Sequence, residues 1–429
     1  MAHDARHFLA APLKPRHTLV VRVDRARVIG TGQYSTVCLG TVEGAGEQRR
    51  ACAVKIPHAG NLDARELGLV EAAALWQAGS APQTVGCFGL VDLRAAAAAA
   101  TDDDGDQQGA RAVLQWPAVA DQALAGQGEW ALVLEYCEGG PCWLWMAEHR
   151  LAMGAELFFA WARQLAQALV ALKAAGMAHM DIKGHNILLG HDGCLRLADF
   201  TATKFSDQAL QAVQLASPGF EPHQFPPYVD FSGTIPYSAP EALAPSNPAK
   251  PHTNDDLHKM DIYSLGVTLY TLFVTGREPY AAVKSAVEQM LLSSKGAFWA
   301  WEERHYLSTL QCAAETAPST PVDARPAAAA ATTSLLAPGP PSPAAEPPYH
   351  HQLSRSASLG GPAPPARRRT LKTRKAAPKE FRRFLSGDLL PPNIEALLRA
   401  MVSPDPHHRP DAADILRTLD AVEADIFEP

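Results

Sequence analysis

The sequence predicts an α+β protein in which a small antiparallel sheet precedes a mainly helical region. Strand patterns concentrate near the start: the β-branched run VCLGTV, residues 37–42, follows a glycine-rich turn, and ACAVKI, residues 51–56, is apolar apart from one lysine. Helical periodicity marks the end of the chain, in NIEALLRAMV, residues 393–402, and DAADILRTLDAV, residues 411–422.

The glycine-rich segment IGTGQYSTV, residues 29–37, predicts a turn between the first two strands. Its glycines let a strand, a turn and a second strand lie close to phosphates and offer them backbone N–H groups. A Rossmann nucleotide fold would continue into a helix here, whereas this chain continues into a strand. The third glycine of the pattern is Ser35, which is small enough to keep the turn.

The segment HMDIKGHNILL, residues 179–189, followed by ADF, residues 198–200, carries the most specific chemistry. Asp181 is placed to accept a substrate hydroxyl proton, and Lys183 to neutralise a moving phosphate. Asn186 and Asp199 supply oxygen ligands for Mg²⁺. A lone match of this kind is weak, but here it stands in an ordered series of motifs. The series resembles the catalytic core of the eukaryotic protein kinases.

The resemblance implies a bilobal fold: an antiparallel-sheet N-lobe with one helix, and a mainly helical C-lobe, with low-complexity insertions. It implies transfer of the γ-phosphoryl group of ATP, with Mg²⁺, to hydroxyl groups of protein substrates. Lys183, two residues after Asp181, is typical of the serine/threonine class. The alternative is a pseudokinase or scaffold, suggested by three departures from the family pattern: Ser35, Met180 in HMD instead of HRD, and Thr201 in DFT instead of DFG.

Lys55 lies in the middle of an apolar strand and needs a partner, because an unpaired buried ammonium is costly. The resemblance implies that it reaches the α- and β-phosphates and pairs with a helix glutamate. Both Glu66 and Glu71 lie in the following helical pattern, and the distance to the next turn favours Glu71. WALVLEYCEGG, residues 130–140, matches the hinge, with Leu134 as gatekeeper.

The segment GTIPYSAPEAL, residues 233–243, resembles the substrate-positioning loop and the A-P-E end of the family. Thr234 is expected to bridge toward Asp181 and Lys183, and Glu241 to pair with Arg409. Asp261, in a segment that resembles the start of the long central helix, is expected to brace the catalytic loop. The full set of catalytic residues implied is Asp181, Lys183, Lys55, Glu71 and Thr234, with Asn186 and Asp199 on the metal. The nucleotide site is expected to comprise Ile29, Gly30, Gly32, Val37, Ala53, Lys55, Glu135, Cys137 and Leu188.

Composition sets limits on the remaining possibilities. The net charge of −7 gives no bulk electrostatic reason to expect nucleic acid or a membrane surface as a partner. Seven scattered cysteines fit a reducing compartment, and no apolar run is long enough to span a bilayer, so we expect a cytoplasmic protein, with a nuclear location as the alternative. Cys38 and Cys137 lie near the predicted nucleotide, and inert packing is the favoured interpretation of both.

The predicted organisation is an N-terminal tail (1–18), the N-lobe (19–137), the C-lobe (138–316) and the end of the C-lobe (379–429). An alanine-rich and acidic loop insertion, 95–128, interrupts the N-lobe. A Pro/Ala/Ser-rich insertion, 317–378, has too few large apolar residues for a core and is predicted to be disordered. Its basic run, 367–375, could bind an acidic partner.

The activation segment also departs from the family pattern. Many kinases need a phosphate there, which pairs with the arginine before the catalytic aspartate. That arginine is Met180 here, and Asp230 stands where a phosphorylated threonine often lies. We therefore expect activity without phosphorylation of this segment. The alternative is that Ser217 or Ser232 takes the phosphate, with Lys204 as the basic group.

Overall fold

The computed structural model describes residues 20–43, 49–79, 81–93, 129–216, 233–244, 252–305 and 382–427. These residues belong to one compact unit of the chain, and a second unit, Tyr306–Lys372, lies outside the described residues. Also outside them are the predicted insertions 95–128 and 317–378, the basic run, and Ser217, Asp230 and Ser232.

The N-lobe is a five-stranded antiparallel sheet with one helix. Its strands are β1 (Val20–Thr31), β2 (Ser35–Glu43), β3 (Arg50–Pro57), β4 (Cys87–Asp92) and β5 (Trp130–Glu135), in the order β1-β2-β3-β5-β4. Helix α1 (Leu62–Ala78) connects β3 to β4 and begins at Asn61, whose side chain accepts a hydrogen bond from the Ala64 N–H. The predicted loop insertion thus falls between two neighbouring strands.

The C-lobe is mainly helical. Its elements are β6 (Gly140–Pro141), α2 (Cys142–Glu148), α3 (Ala155–Ala174), β7 (Met177–Ala178), β8 (Ile187–Leu189), β9 (Leu195–Leu197), β10 (Lys204–Phe205), α4 (Asp207–Ala216), α5 (Asn254–Tyr270), α6 (Ala286–Ser294), α7 (Pro392–Met401) and α8 (Ala412–Phe427), with further helical residues at 298–305. The short strands form two small sheets, β6-β8-β9 and β10-β7, which frame the loop between β7 and β8. The predicted α+β fold with two lobes is confirmed.

Helix α5 is the central element of the C-lobe. It begins at Thr253, whose hydroxyl accepts from the Asp256 N–H while the Asp256 carboxylate accepts from the Thr253 N–H. From Leu257 onward almost every side chain is buried, as in a helix surrounded by protein. Asp261 therefore lies in the middle of this helix and not at its start, because the capping residues precede the motif that suggested the boundary.

One continuous apolar core spans α3, α5, the short strands and the inner face of α1, and a smaller cluster covers the other face of the N-lobe sheet. Within the described residues, no helix combines the length and the apolar character needed to cross a membrane.

Candidate active site

The loop between β7 and β8 is held by a buried carboxylate. Asp261 accepts hydrogen bonds from the backbone N–H groups of His179 (2.7 Å) and Met180 (2.9 Å). Met180 has a φ of 68°, a left-handed value that is uncommon for a residue with a side chain, and the carboxylate of Asp261 fixes it there. The next residue is Asp181, so its backbone position is set by this conformation.

The buried His179 ring connects this loop to the segment after β9 that contains Asp199. Its Nε2 lies 3.0 Å from the Ala198 carbonyl oxygen, and its Nδ1 accepts the Asp181 backbone N–H at 3.2 Å. A ring that donates from one nitrogen and accepts at the other is neutral, and burial lowers the pKa of His179 accordingly. The two chain segments that carry the site are thus joined by a single side chain.

Asp181 is the centre of a hydrogen-bonded network. Thr234 Oγ1 donates to its Oδ1 at 2.7 Å, and Asn186 Nδ2 donates to its Oδ2 at 2.8 Å. Lys183 Nζ lies 2.9 Å from the same Oδ2 and 2.6 Å from Thr234 Oγ1. The network fixes the carboxylate in one orientation and places an ammonium group beside it. The structure thereby brings together the four residues that the sequence analysis assigned to this region.

Lys55 joins the two lobes. Its Nζ lies 2.6 Å from Glu71 on α1 and 2.9 Å from Asp199. Burial disfavours the ammonium charge, but the carboxylates of Asp199 and Glu71 outweigh it and hold the pKa of Lys55 above its ordinary value. Glu71 is fully buried and is the helix partner, whereas Glu66 is the glutamate without this contact.

Asp199 is arranged to leave part of its carboxylate open. It has a left-handed φ of 63°, and its Oδ1 accepts from both Lys55 Nζ and the Thr201 hydroxyl, each at 2.9 Å. Burial would raise its pKa, but Lys55 and Thr201 hold the pKa of Asp199 well below its usual range. Thr201, noted as a departure from the glycine of DFG, is thus a direct hydrogen-bond partner of Asp199.

The remaining oxygen atoms suit a magnesium ion. The Asp199 side chain is 41% exposed, and Asn186 donates from Nδ2 to Asp181, which leaves its amide oxygen as a free acceptor. The Ala198 N–H donates to the Asn186 carbonyl at 2.8 Å, so the two segments are adjacent. The described residues hold no group of three or more His, Cys, Asp or Glu side chains fit for a metal. Mg²⁺ does not require one, since it is commonly held by one or two protein oxygens plus phosphates and water.

Several residues expected at the nucleotide site lie in or against the apolar core. Ala53 on β3 lies opposite Leu134 on β5, and both belong to the main core together with Cys137. Val37 on β2 and Leu188 on β8 pack against the same cluster from the two lobes. Apolar side chains of this kind are what an adenine ring would require on its two faces. Burial raises the pKa of the Cys137 thiol to about 12, which agrees with inert packing.

The glycine-rich turn lies over Lys55. Ile29 and Gly30 are the last part of β1, and the Gly32 N–H closes the turn on the Ser35 carbonyl at 2.9 Å. Ser35 lines a small cavity together with Lys55. Because Ser35 has no left-handed backbone angle, this position does not require glycine.

The end of the substrate-positioning loop is anchored by a buried ion pair. Both terminal guanidinium nitrogens of Arg409 contact the Glu241 carboxylate, at 2.5 and 2.9 Å, and the Arg409 side chain is fully buried. Such bidentate pairs are the strong ones. The pairing is the one implied by the A-P-E resemblance.

Two contacts near the site were missed by the sequence analysis. Glu135, expected at the nucleotide site, also uses its side chain within the protein: both carboxylate oxygens lie 3.2 Å from Arg196 Nε, and the Gly86 N–H donates to one of them. Tyr237 Oη donates to Glu278 at 2.8 Å beside the catalytic loop. Neither contact has a local sequence signal, because each joins segments that only the fold brings together.

Comparison with known proteins agrees with this geometry. The protein kinase domain family matches residues 118–419, well over half of the chain. The match begins after the glycine-rich turn and Lys55, so the identification of those two features rests on the geometry above.

Three curated relatives share about a third of their aligned residues with the chain. The serine/threonine-protein kinase ppk11 of Schizosaccharomyces pombe is 32% identical over 152 residues, 35% of this chain and 41% of that protein. The serine/threonine-protein kinase PknL of Mycobacterium tuberculosis is 33% identical over 163 residues, 38% of this chain and 35% of that protein. The CBL-interacting serine/threonine-protein kinase 12 of Arabidopsis thaliana is 32% identical over 151 residues, 35% of this chain and 26% of that protein.

The alignments thus span less than half of each of these relatives. The match to the domain family covers most of the chain and includes the catalytic loop, Asp199, Glu241 and Arg409. On these grounds the chain belongs to the protein kinase domain family.

Proposed function

We propose that this protein is an active serine/threonine protein kinase, which transfers the γ-phosphoryl group of ATP to hydroxyl groups of protein substrates. The observation that carries the proposal is the connected arrangement of Lys55, Asp181, Asn186 and Asp199, each held by a named partner. Phosphoryl transfer depends mainly on positioning and electrostatic stabilisation, so an assembled constellation is what the reaction requires.

Each residue has a role that follows from its contacts. Asp181, oriented by Thr234 and Asn186, accepts the hydrogen bond of the acceptor hydroxyl and aligns its oxygen for attack. Lys183, beside the same carboxylate, offsets negative charge on the phosphoryl oxygens. Lys55, fixed by Glu71, orients the nucleotide phosphates. Mg²⁺ held by Asn186 and Asp199 would neutralise further phosphate charge.

The serine/threonine preference is supported by the position of Lys183 and its contact with Thr234. Lys183 Nζ lies 2.6 Å from Thr234 Oγ1, and both touch Asp181. A lysine two residues after the catalytic aspartate, together with a threonine at this place in the loop, is the pattern of the serine/threonine class. We also propose that activity does not depend on a phosphate in the activation segment, since Met180 presents no cation for it.

The direct test is incorporation of radiolabelled phosphate from ATP into a degenerate peptide array, with and without a chelator of Mg²⁺. Wild-type protein should label serine and threonine peptides, and Asp181→Ala and Asp199→Ala should each lower incorporation by orders of magnitude. Asp199→Ala should in addition weaken binding of Mg-ATP, because the ion loses its main protein charge. Asp207→Ala, at an exposed position at the start of α4, is the matched control.

Retained turnover in either active-site variant, with circular dichroism unchanged, would remove the assignment. Nucleotide binding without incorporation by the wild-type protein would favour the pseudokinase alternative. That alternative draws on Ser35, Met180 and Thr201, none of which replaces a group assigned to phosphate or metal.

A further inference from the structure

The connection between β3 and α1 is attached to the glycine-rich turn through one residue, His58. The pairing of β2 with β3 reaches Ser35 and Pro57, and Pro57 has no N–H with which to continue it. The next residue replaces that donor, because the His58 backbone N–H donates to the Tyr34 carbonyl at 2.9 Å. The chain beyond β3 thus stays in contact with the turn instead of leaving it at the end of the sheet.

The His58 side chain makes two further contacts with the same turn. Its Nδ1 lies 3.1 Å from the Gln33 carbonyl oxygen, which can only accept, so Nδ1 carries the hydrogen. With Nδ1–H as the donor, Nε2 of the neutral ring accepts from the Thr36 hydroxyl at 3.3 Å. Three contacts from one residue therefore hold the tip of the turn from both sides.

These contacts occupy carbonyl groups of the tip and leave its N–H groups available. The carbonyls of Gln33 and Tyr34 both accept from His58, whereas the backbone N–H groups of the same two residues have no hydrogen-bond partner in the described part of the chain. Successive N–H groups in a turn form a concave site for anions. Carbonyl oxygens that are directed at His58 cannot also face a phosphate and repel it.

His58 also connects the turn to helix α1. The Asn61 N–H donates to the His58 carbonyl at 3.3 Å, and the Asn61 side chain caps α1 by accepting from the Ala64 N–H. The same helix carries Glu71, which pairs with Lys55. The glycine-rich turn and the Lys55 ammonium are thus held by one continuous set of contacts.

We propose that His58 is a positioning residue for the phosphates of ATP, which holds the glycine-rich turn so that the Gln33 and Tyr34 N–H groups face them; the proposal rests on the ATP binding that the proposed function requires. A turn already fixed in this conformation loses less conformational freedom when the nucleotide binds. A contact with phosphate adds nothing to the binding of adenine and ribose. His58 therefore contributes to the affinity for ATP and not to the affinity for adenosine.

The test compares the binding of Mg-ATP and of adenosine to the wild-type protein and to His58→Ala by isothermal titration calorimetry. The substitution should raise the Kd for Mg-ATP about tenfold, as expected for the loss of one or two hydrogen bonds, and change the Kd for adenosine by less than about twofold. In peptide phosphorylation the KM for ATP should rise by a similar factor, with the KM for the peptide unchanged. His191→Ala, at an exposed position between β8 and β9, is the matched control.

Two milder substitutions separate the contacts of the ring. His58→Asn keeps an N–H close to the position of Nδ1, so its Kd for Mg-ATP should return to within about threefold of the wild-type value. Thr36→Val removes only the hydroxyl contact and keeps the β-branched shape, so it should raise the Kd for Mg-ATP about twofold and leave adenosine binding unchanged. Because Thr36→Val leaves His58 in place, it tests the proposal even if His58→Ala does not fold.

Two results would overturn the proposal. Equal weakening of Mg-ATP and adenosine binding in His58→Ala would mean that His58 supports the N-lobe as a whole. A Kd for Mg-ATP that stays at the wild-type value in this variant would mean that the turn does not depend on His58. If the selective loss of Mg-ATP affinity is observed but the wild-type protein labels no peptide, the proposed function fails and the role of His58 is supported.

Discussion

Gly68 on α1 packs directly against the indole of Trp130, at the start of β5. A Cβ atom at Gly68 would lie 2.7 Å from Trp130 Cη2, closer than real Cβ contacts allow. Trp130 is buried, so its ring has little room to move. The missing side chain lets α1 approach the sheet closely enough for Glu71, three residues further on, to reach Lys55 at 2.6 Å.

Gly68→Ala should therefore lower both stability and activity, although alanine is a better helix former by about 1 kcal/mol. The added methyl group forces α1 away from β5, at a cost of about 1–3 kcal/mol, and lengthens the Lys55–Glu71 contact. Denaturant unfolding and kcat should be measured together. Trp130→Phe removes the clashing atom, so the double variant should recover part of the activity that Gly68→Ala loses. If Gly68→Ala is more stable than the wild type and equally active, the close packing has no functional role.

Some of these contacts could be predicted from the sequence, and others could not. The pairs Lys55–Glu71 and Glu241–Arg409 were accessible because a buried charge in a recognisable motif requires a partner, and the resemblance indicates where the partner stands. Gly68 gave no such signal, since a glycine within a helix does not disclose which ring it faces. Glu278 and Tyr237 were missed because their contact spans 41 residues and depends on how the connection after α5 folds back. Thr201 was interpreted only as a departure from the family glycine. Its hydroxyl contact with Asp199 could not be predicted, because the contact depends on the left-handed backbone angle of Asp199.

The Glu241–Arg409 pair provides a prediction on stability. The Arg409 guanidinium also donates to three backbone carbonyls, those of Ser403, Lys259 and Pro404. Arg409→Lys cannot replace these contacts and should lower the free energy of unfolding by about 3–5 kcal/mol, the usual result of breaking a buried pair. Denaturation in urea measures the effect. Arg417→Lys, at an exposed position of α8, is the control and should change it by less than about 0.5 kcal/mol.

His258 predicts a pH dependence of stability. Burial, with a smaller effect from Lys173, lowers the pKa of its ring to about 4, although Asp411 acts in the opposite direction. The unfolded chain binds a proton near pH 6.5, and the folded protein does so only near pH 4. The unfolded state thus binds more protons in this window, so stability falls as the pH falls from about 6.5 to 4, by at most about 3 kcal/mol from this group.

The measurement is the difference in unfolding free energy between His258→Gln and the wild type at several pH values. The wild type should lose its advantage over the variant as the pH is lowered through this window, and the same substitution at exposed His407 serves as the control. A difference that stays constant from pH 7 to pH 4 would contradict the prediction.

Residues 317–378 can be removed to test the predicted organisation. Described residues on both sides of this region, such as Trp299 and Ile394, belong to the same apolar core. Replacing the segment by a short Gly/Ser linker should keep activity on a generic peptide within a few fold and change stability by about 1 kcal/mol or less, because loop-closure entropy varies slowly with length. A large fall in the thermal transition would show that the segment is packed structure and not an insertion.

The last prediction concerns control of activity. Met180 is buried and carries no charge where many kinases place an arginine, so a phosphate on the activation segment would have no cation to neutralise at this position. Lys204 on β10 is the basic group that would take the place of this arginine, and burial lowers the pKa of Lys204. A phosphate added at Ser217 or Ser232 would stabilise the charged form of Lys204, which is the alternative to activity without phosphorylation.

We expect full activity from protein that is expressed with a broad phosphatase and verified as unmodified by mass spectrometry. Lys204→Met should then retain that activity. If the unmodified protein is inactive, and activity returns on phosphorylation of Ser217 or Ser232 only while Lys204 is present, the segment is controlled by phosphate through that lysine.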